Sequence, residues 1–195
     1  MKNNWKEIAG MMADEGFSVE GMPSLLKFDE ETWKFKMGDI EVSAMSDLFV
    51  ARLQKELERL IGPMGPNLLK MAAREIGLND GRSIKDINKN LSPLEAISSK
   101  AIAVLLCRLG WGKFDRFEME DDKIIFVRST SFEGDAHKKL GESDTSCCYF
   151  ALGYTTGFFE GLLNQKFKSE EIECIGKGDN LCKIIVYLDP SEVGK

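Results

Sequence analysis

Much of what common functions need is scarce here. No apolar run approaches the roughly 18 residues that a membrane span requires. The first residues, MKNNWKEIAGMMADEG, carry acids early and no apolar h-region, so a secretory signal is not expected and the cytoplasm is the expected compartment. Basic charge is in deficit: 26 Lys and Arg stand against 32 Asp and Glu, a formal charge of −6. That balance argues against nucleic acid or an anionic membrane surface as a partner. No G-x-G-x-x-G follows a strand, so no nicotinamide or flavin site is expected. No C-x-x-C is present, which excludes a thioredoxin-like redox pair. The single histidine, His137, falls in a polar stretch and reads as a solvated loop residue. The acids are spread over wet faces and form no acid–base pair, so no catalytic residue is expected. Repeats, low-complexity tracts and linkers are also missing.

What remains is a chain of 195 residues, 43% hydrophobic, enough for one good core. Asn3–Asp14 reads as a short helix, and Leu25–Val42 as a strand or hairpin with a turn at Gly38. SDLFVARLQKELERLI places Phe49, Leu53, Leu57, Leu60 and Ile61 at helical spacing. GPMGP stops that helix, and a second runs from Asn67 to Ile76. Gly77–Leu91 is polar and reads as a surface loop. Ser92-Pro93-Leu94-Glu95 is a capping box opening a third helix that ends at Gly110. The pattern then switches to period two. KFDRFEME and DKIIFVRS are expected strands joined at Glu120–Asp122, followed by a helix over about 145–164 and strands over about 167–174 and 181–188. Helices first, then strand-strand-helix-strand-strand, give an α+β class: an antiparallel sheet of about four strands packed on helices.

The helix CCYFALGYTTGFFEGLLNQ carries Gly153, Gly157 and Gly161 at four-residue spacing. Each costs about 1 kcal/mol relative to alanine, so the ridge they form serves close approach by another backbone or a ligand. The cysteines are uneven. Cys107 stands alone, whereas Cys147, Cys148, Cys174 and Cys182 fall in the last quarter. CIGKGDNLC lacks the first glycine of a phosphate loop and leads into a strand, which excludes that reading. Three readings stay open: buried structural thiols, a hairpin disulfide between Cys174 and Cys182, and zinc on Cys148, Glu171, Cys174 and Cys182. Residues three apart on a regular strand face opposite ways, so Glu171 and Cys174 can share a metal only across a bulge or through strand twist.

The C-terminal half resembles the 4-vinyl reductase domain family. Ser131-Phe132, then Cys148, Phe150, Gly153, Tyr154, Gly157 and Leu162, then Cys174, Gly176, Gly178, Asp179 and Cys182 carry the resemblance, which is specific over about residues 100–188. It implies the α+β fold of vesicle-tethering transport-particle subunits, with N-terminal helices used to form a homodimer. It implies residues 43–195 as the ligand-binding domain and 1–42 as an N-terminal extension. In the phenol-sensing members, three cysteines and a glutamate hold a structural zinc, and their spacing agrees with Cys148, Glu171, Cys174 and Cys182 here. Those members hold a phenol hydroxyl with a histidine and a tryptophan; the comparable strand here, IIFVRS, has no tryptophan.

The expected ligand is a hydrophobic small molecule: aromatic, hydrocarbon or tetrapyrrole-like. With Arg128 facing outward, alternation puts Ile125 and Val127 on the inner face, opposite Leu152, Thr156 and Phe159 of the glycine-striped helix. These, with Trp111, line the expected pocket; the alternative is that they only fill the core. The chain therefore reads as a sensor or carrier module that passes its signal to a separate signalling or enzyme partner. The alternatives are an enzyme or accessory in reduction of a tetrapyrrole vinyl group, and a dimeric interaction subunit without ligand.

Overall fold

A computed structural model describes residues 26–32, 34–37, 40–42, 45–87, 110–119 and 123–190. The expected helices at Asn3–Asp14 and from Ser92 lie outside these residues. The expected hairpin near the start is a three-strand antiparallel meander: β1 (Leu26–Asp29), β2 (Lys34–Met37) and β3 (Ile40–Val42).

Helix α1 (Asp47–Ile61) runs where its periodicity predicts. Ser46 caps it, its hydroxyl accepting from the Leu48 amide, and Gly62 ends it at φ 64°. Its apolar stripe is not buried in this chain: Phe49, Leu53, Leu60 and Ile61 are exposed, whereas Ala51 and Gln54 are buried. Helix α2 (Met64–Ile87) follows and is longer than the sequence suggests. The expected loop over Gly77–Leu91 is helical through Ile87. Its glycines act here as contact points and do not break the helix. A Cβ at Gly77 would lie 2.1 Å from the Tyr154 carbonyl oxygen, and one at Gly81 2.2 Å from that of Phe158.

Those carbonyls belong to α4 (Tyr149–Leu163), which is buried on all sides from Ala151 to Leu162. The glycine stripe of α4 answers in kind. Added Cβ atoms at Gly153, Gly157 and Gly161 would meet the carbonyl oxygens of Lys70, Arg74 and Leu78 at 2.1, 1.8 and 2.2 Å. The stripe is thus the seam between two helices, with a backbone in the place where a ligand might have come. Arg74 clasps the seam from its edge, its Nε and Nη2 donating to the two Glu160 oxygens at 2.7 and 2.5 Å. Glu160, buried, also accepts from the Phe167 amide at 3.1 Å.

On its other side α4 packs on an antiparallel sheet in the order β4-β5-β7-β6, built from β4 (Phe114–Met119), β5 (Lys123–Arg128), β6 (Phe167–Glu173) and β7 (Cys182–Leu188). The register sets Ile124 against Val186, Phe126 against Ile184 and Arg128 against Cys182. Ile124, Phe126, Ile184 and Val186 join the core with α4, and the Phe126 ring lies 5.7 Å from that of Phe159.

Two expectations are corrected here. Arg128 is buried, not outward, and shares the α4 side with Cys182. Ile125 and Val127 therefore lie on the opposite face of the sheet, where they too are buried. The polar stretch after β5 is not a loop but the short helix α3 (Phe132–Lys139). Its His137 is 2% exposed. The termini of α3 match the helix dipole: Glu133 and Asp135 in the first turn, His137, Lys138 and Lys139 in the last.

Candidate metal centre and ligand face

The cluster forms where α4 begins and the β6–β7 hairpin turns. Cys148 occupies the N-cap position of α4 but makes no capping bond with its side chain. The cap comes from α3: the two oxygens of fully buried Glu133 accept from the Phe150 and Ala151 amides, each at 2.9 Å. The Cys148 thiol is left to point at the hairpin.

The hairpin supplies the rest. Strand β6 pairs Glu171 with Ile184 and Glu173 with Lys183, a register shift that marks a bulge. The extra residue turns the chain so that Glu171 and Cys174 reach the same side, as the regular strand would not allow. After Cys174 comes a single 3-10 turn, Ile175–Lys177, closed by Gly178 at φ 100°. The Asp179 carboxylate accepts from the Cys174 amide at 2.8 Å and fixes the turn. Cys182 then opens β7.

One ligand atom from each of Cys148, Glu171, Cys174 and Cys182 lies within 4.8 Å of all the others. Cys148 Sγ is 3.9 Å from Cys174 Sγ and 3.8 Å from Cys182 Sγ. A tetrahedral zinc with bonds of about 2.3 Å holds its sulfurs about 3.8 Å apart. A disulfide needs about 2.05 Å, and none of the four described cysteines forms one, which removes the hairpin bridge. Glu171 Oε2 accepts from the Cys148 amide at 3.1 Å, whereas buried Oε1 has no hydrogen-bond partner among the described residues. An orphaned carboxylate oxygen beside three thiols is a fit for a cation.

The electrostatics point the same way. Burial, then the charge on Cys174, pushes the Glu171 carboxyl up to about 7. Hydrogen bonds from the thiols of Cys147, Cys148 and Cys182 hold Cys174 well below the usual thiol range. Its bonds to Cys148 and Cys174, and then burial, push Cys182 far up. Without a cation one thiolate is stabilised at its neighbours' expense. A divalent ion would let all of them ionise. Two outer contacts orient the sulfurs: the Ile175 amide donates to Cys182 Sγ at 3.4 Å, and Ser131 Oγ lies 3.6 Å from Cys148 Sγ.

The sequence leaves Cys147 unassigned. It is buried outside the four-atom cluster, its Sγ 3.5 Å from Cys174 Sγ. His137 is also near: a Cβ on Gly176 would lie 2.3 Å from Cys147 Sγ and 3.0 Å from His137 Cβ. Burial, then Lys55, keeps the imidazole pKa below its ordinary value. The doublet Cys147-Cys148 is the one signal in the sequence that flags a further thiol.

The six expected ligand contacts do not share one wall. Thr156 Oγ1 donates to the Leu152 carbonyl at 2.7 Å and also bonds Ser169 Oγ, so both residues face β6. Phe159 packs on Phe126, Phe158 and Phe167 within the core. Trp111 belongs to an aromatic cluster, its ring 4.6 Å from Tyr154, 5.3 Å from Phe132 and 5.6 Å from Phe150. Ile125 and Val127 lie across the sheet. A surface groove of about 610 Å³ runs beside the start of α3, lined by charged and polar groups including Asp47, Asp135 and Lys139. It contains none of the six.

Residues 132–188 match the family model of the vinyl-4-reductase domain. The phenol regulator MopR of Acinetobacter guillouiae is 20% identical over 178 residues, covering 88% of this chain but only 32% of that protein. This chain thus spans about a third of that relative's length. MJ0150 of Methanocaldococcus jannaschii, an uncharacterized protein, is 25% identical over 173 residues, covering 78% of this chain and 97% of that one. The fold is like that of the crystal structure of the phenol-responsive sensory domain of the transcription activator PoxR with phenol. The TM-score is 0.72 at 19% identity, over 96% of this chain and 92% of that one. Among the described residues no helix is long and apolar enough to cross a membrane.

Proposed function

We propose that this chain, which carries a vinyl-4-reductase domain in residues 132–188, binds a hydrophobic small molecule as a sensor or carrier module and is held in shape by a structural zinc. The observation that carries the metal reading is the set of Cys148, Glu171, Cys174 and Cys182, with sulfurs at zinc-like separation and a carboxylate oxygen lacking any other partner among the described residues. Four protein ligands close a tetrahedron, so the ion would cross-link α4 to the β6–β7 hairpin and offer no open position for catalysis.

Small-molecule binding is supported by the fold shared with a phenol-responsive sensory domain and by the similarity to a phenol regulator. The ligand class is hydrophobic or aromatic. Leu152, Thr156 and Phe159 are occupied in the core, so Ile125 and Val127, on the sheet face that α4 does not fill, are the contacts this reading keeps, with Trp111 at the edge. The exposed apolar stripe of α1 and α2, which includes Leu60, Met64, Leu68 and Met71, supports a homodimer formed on those helices.

Elemental analysis of protein purified without chelator tests the metal: about one zinc per chain is expected, and none refutes it. Native mass spectrometry, with a thermal-shift panel of phenols, other aromatics and porphyrins, tests the ligand. No retained molecule and no shift for any panel member would refute the binding reading. Sedimentation of wild type and Leu60→Glu tests the dimer; two monomeric proteins would refute it.

A further inference from the structure

We propose that Cys147 is the resolving thiol of an oxidation site at the metal centre. Peroxide-class oxidants would join Cys147 to Cys174 and so release the ion. The release half of this proposal rests on the metal reading above; the disulfide half does not.

The geometry singles out this pair. Of the thiol contacts in the cluster, Cys147–Cys174 is the shortest, at 3.5 Å, against 3.8 and 3.9 Å for the contacts Cys148 makes. The difference has a reason. Sulfurs sharing a tetrahedral ion are held about 3.8 Å apart by their bonds to it, and closing them to a disulfide must break two such bonds. Cys147 is outside the four-ligand set, so its side chain swings without opposing a metal bond. Gly176 makes the room: the Cys147 sulfur sits 2.3 Å from where a Cβ would be, a position that any other residue in the turn would deny it.

The pair is buried but thinly held. Cys147 ends the irregular segment 141–148, which is tied to the hairpin by the Ser143 amide to the Gly176 carbonyl at 2.8 Å and by the Ser146 hydroxyl to the Glu171 carbonyl at 3.0 Å. Opening so short a tether is a local event that admits a small oxidant without unfolding the domain.

The chemistry balances in two steps. The Cys174 thiolate attacks peroxide, an S–O bond forms, the O–O bond breaks and hydroxide leaves. The Cys147 sulfur then attacks the Cys174 sulfenic acid. The S–S bond forms, the S–O bond breaks, and the departing hydroxide takes the Cys147 proton as water. Two electrons pass from the thiols to the peroxide. The ion loses Cys174 and is left with Cys148, Cys182 and Glu171, an incomplete shell.

The test treats the full chain, with its metal content first measured, with hydrogen peroxide. Released zinc is followed with a chromogenic chelator, and disulfides are mapped by mass spectrometry after alkylation. Loss of two of the five thiols, a Cys147–Cys174 bridge and release of one zinc per chain are expected. Cys147→Ser, which keeps all four ligands, should still load zinc. It should form no such bridge, and its Cys174 should go on to the sulfinic acid. The proposal is overturned if the map shows only bridges among Cys148, Cys174 and Cys182, or if no bridge forms. If the purified protein holds no metal, the metal reading and the release half fail together, and the same map still decides the disulfide. Should Cys147→Ser misfold, the wild-type map alone decides between these outcomes.

Discussion

Gly157→Ala is the sharpest test of the seam between α2 and α4. In an ordinary helix this change stabilises by about 1 kcal/mol, because alanine loses less backbone freedom. Here the new Cβ would sit 1.8 Å from the Arg74 carbonyl oxygen and 2.8 Å from the Leu78 amide nitrogen. A relaxed carbon–oxygen contact is nearer 3.4 Å, so the helices must part by about 1.5 Å, a gap that forfeits half or more of the dispersion along the seam. Neither helix can slide to escape, since Gly153 and Gly161 meet carbonyls at 2.1 and 2.2 Å on either side. Overpacking of this kind costs up to about 3 kcal/mol. Set against the helix-propensity gain of about 1 kcal/mol, a net loss of about 2 kcal/mol is expected. Urea unfolding reads it as a midpoint lowered by about 1 M at unchanged slope. Ser83→Ala, on the exposed side of α2, is the control and should stay within about 0.5 kcal/mol. A Gly157→Ala midpoint equal to or above wild type would refute the seam.

Three further outcomes are expected. Chelation should lower Tm in protein that holds zinc, by the linkage of about 4 kcal/mol that applies when free metal is a thousandfold above Kd; Cys182→Ser should lose the metal and the chelator effect together. Arg74→Ala should cost about 1–2 kcal/mol in urea unfolding, a buried-pair loss discounted because Arg74 is half exposed while Glu160 keeps only the Phe167 amide. Glu133 should give a pH signature. Burial raises its carboxyl to about 8, against the amides of Ala151 and Phe150, whereas in the unfolded chain it ionises near 4.3. The proton bound in the folded state contributes stability that is full below about pH 4 and lost as pH rises through about 8. Wild type should therefore lose stability relative to Glu133→Gln by as much as about 1.4 kcal/mol per unit between pH 5 and 8; a flat difference would refute it.

How much can be read along the chain varies by element. Helix α1 is fully legible because it announces itself locally: a serine cap, a stripe at 3.6-residue period and a Gly-Pro stop. What that stripe faces is not legible, since period describes a helix and not its neighbours. Strand β5 is legible as a strand but not by side. Both its faces are buried, so no polar alternation marks the inner one, and Arg128 serves as a false pointer. Helix α3 escapes notice although its acids and bases are ordered along the dipole, because eight residues with one glycine give too short a period to see.

The metal set is the mixed case. The positions of Cys148, Glu171, Cys174 and Cys182 along the chain already contain the ligand pattern, and thiol chemistry limits what such a pattern can do. Whether Glu171 and Cys174 can meet depends on a bulge, which belongs to strand pairing and leaves no mark in composition. The glycines show the same division. Local physics makes Gly77 and Gly81 helix breakers and Gly157 a liability. Only the approach of two backbones to carbonyl contact turns that penalty into a seam. Periodicity, caps and the donor set are properties of residues a few positions apart, so the order of amino acids suffices to define them. Burial, facing and close approach arise between residues far apart in the chain, and they come into being only when the chain is folded.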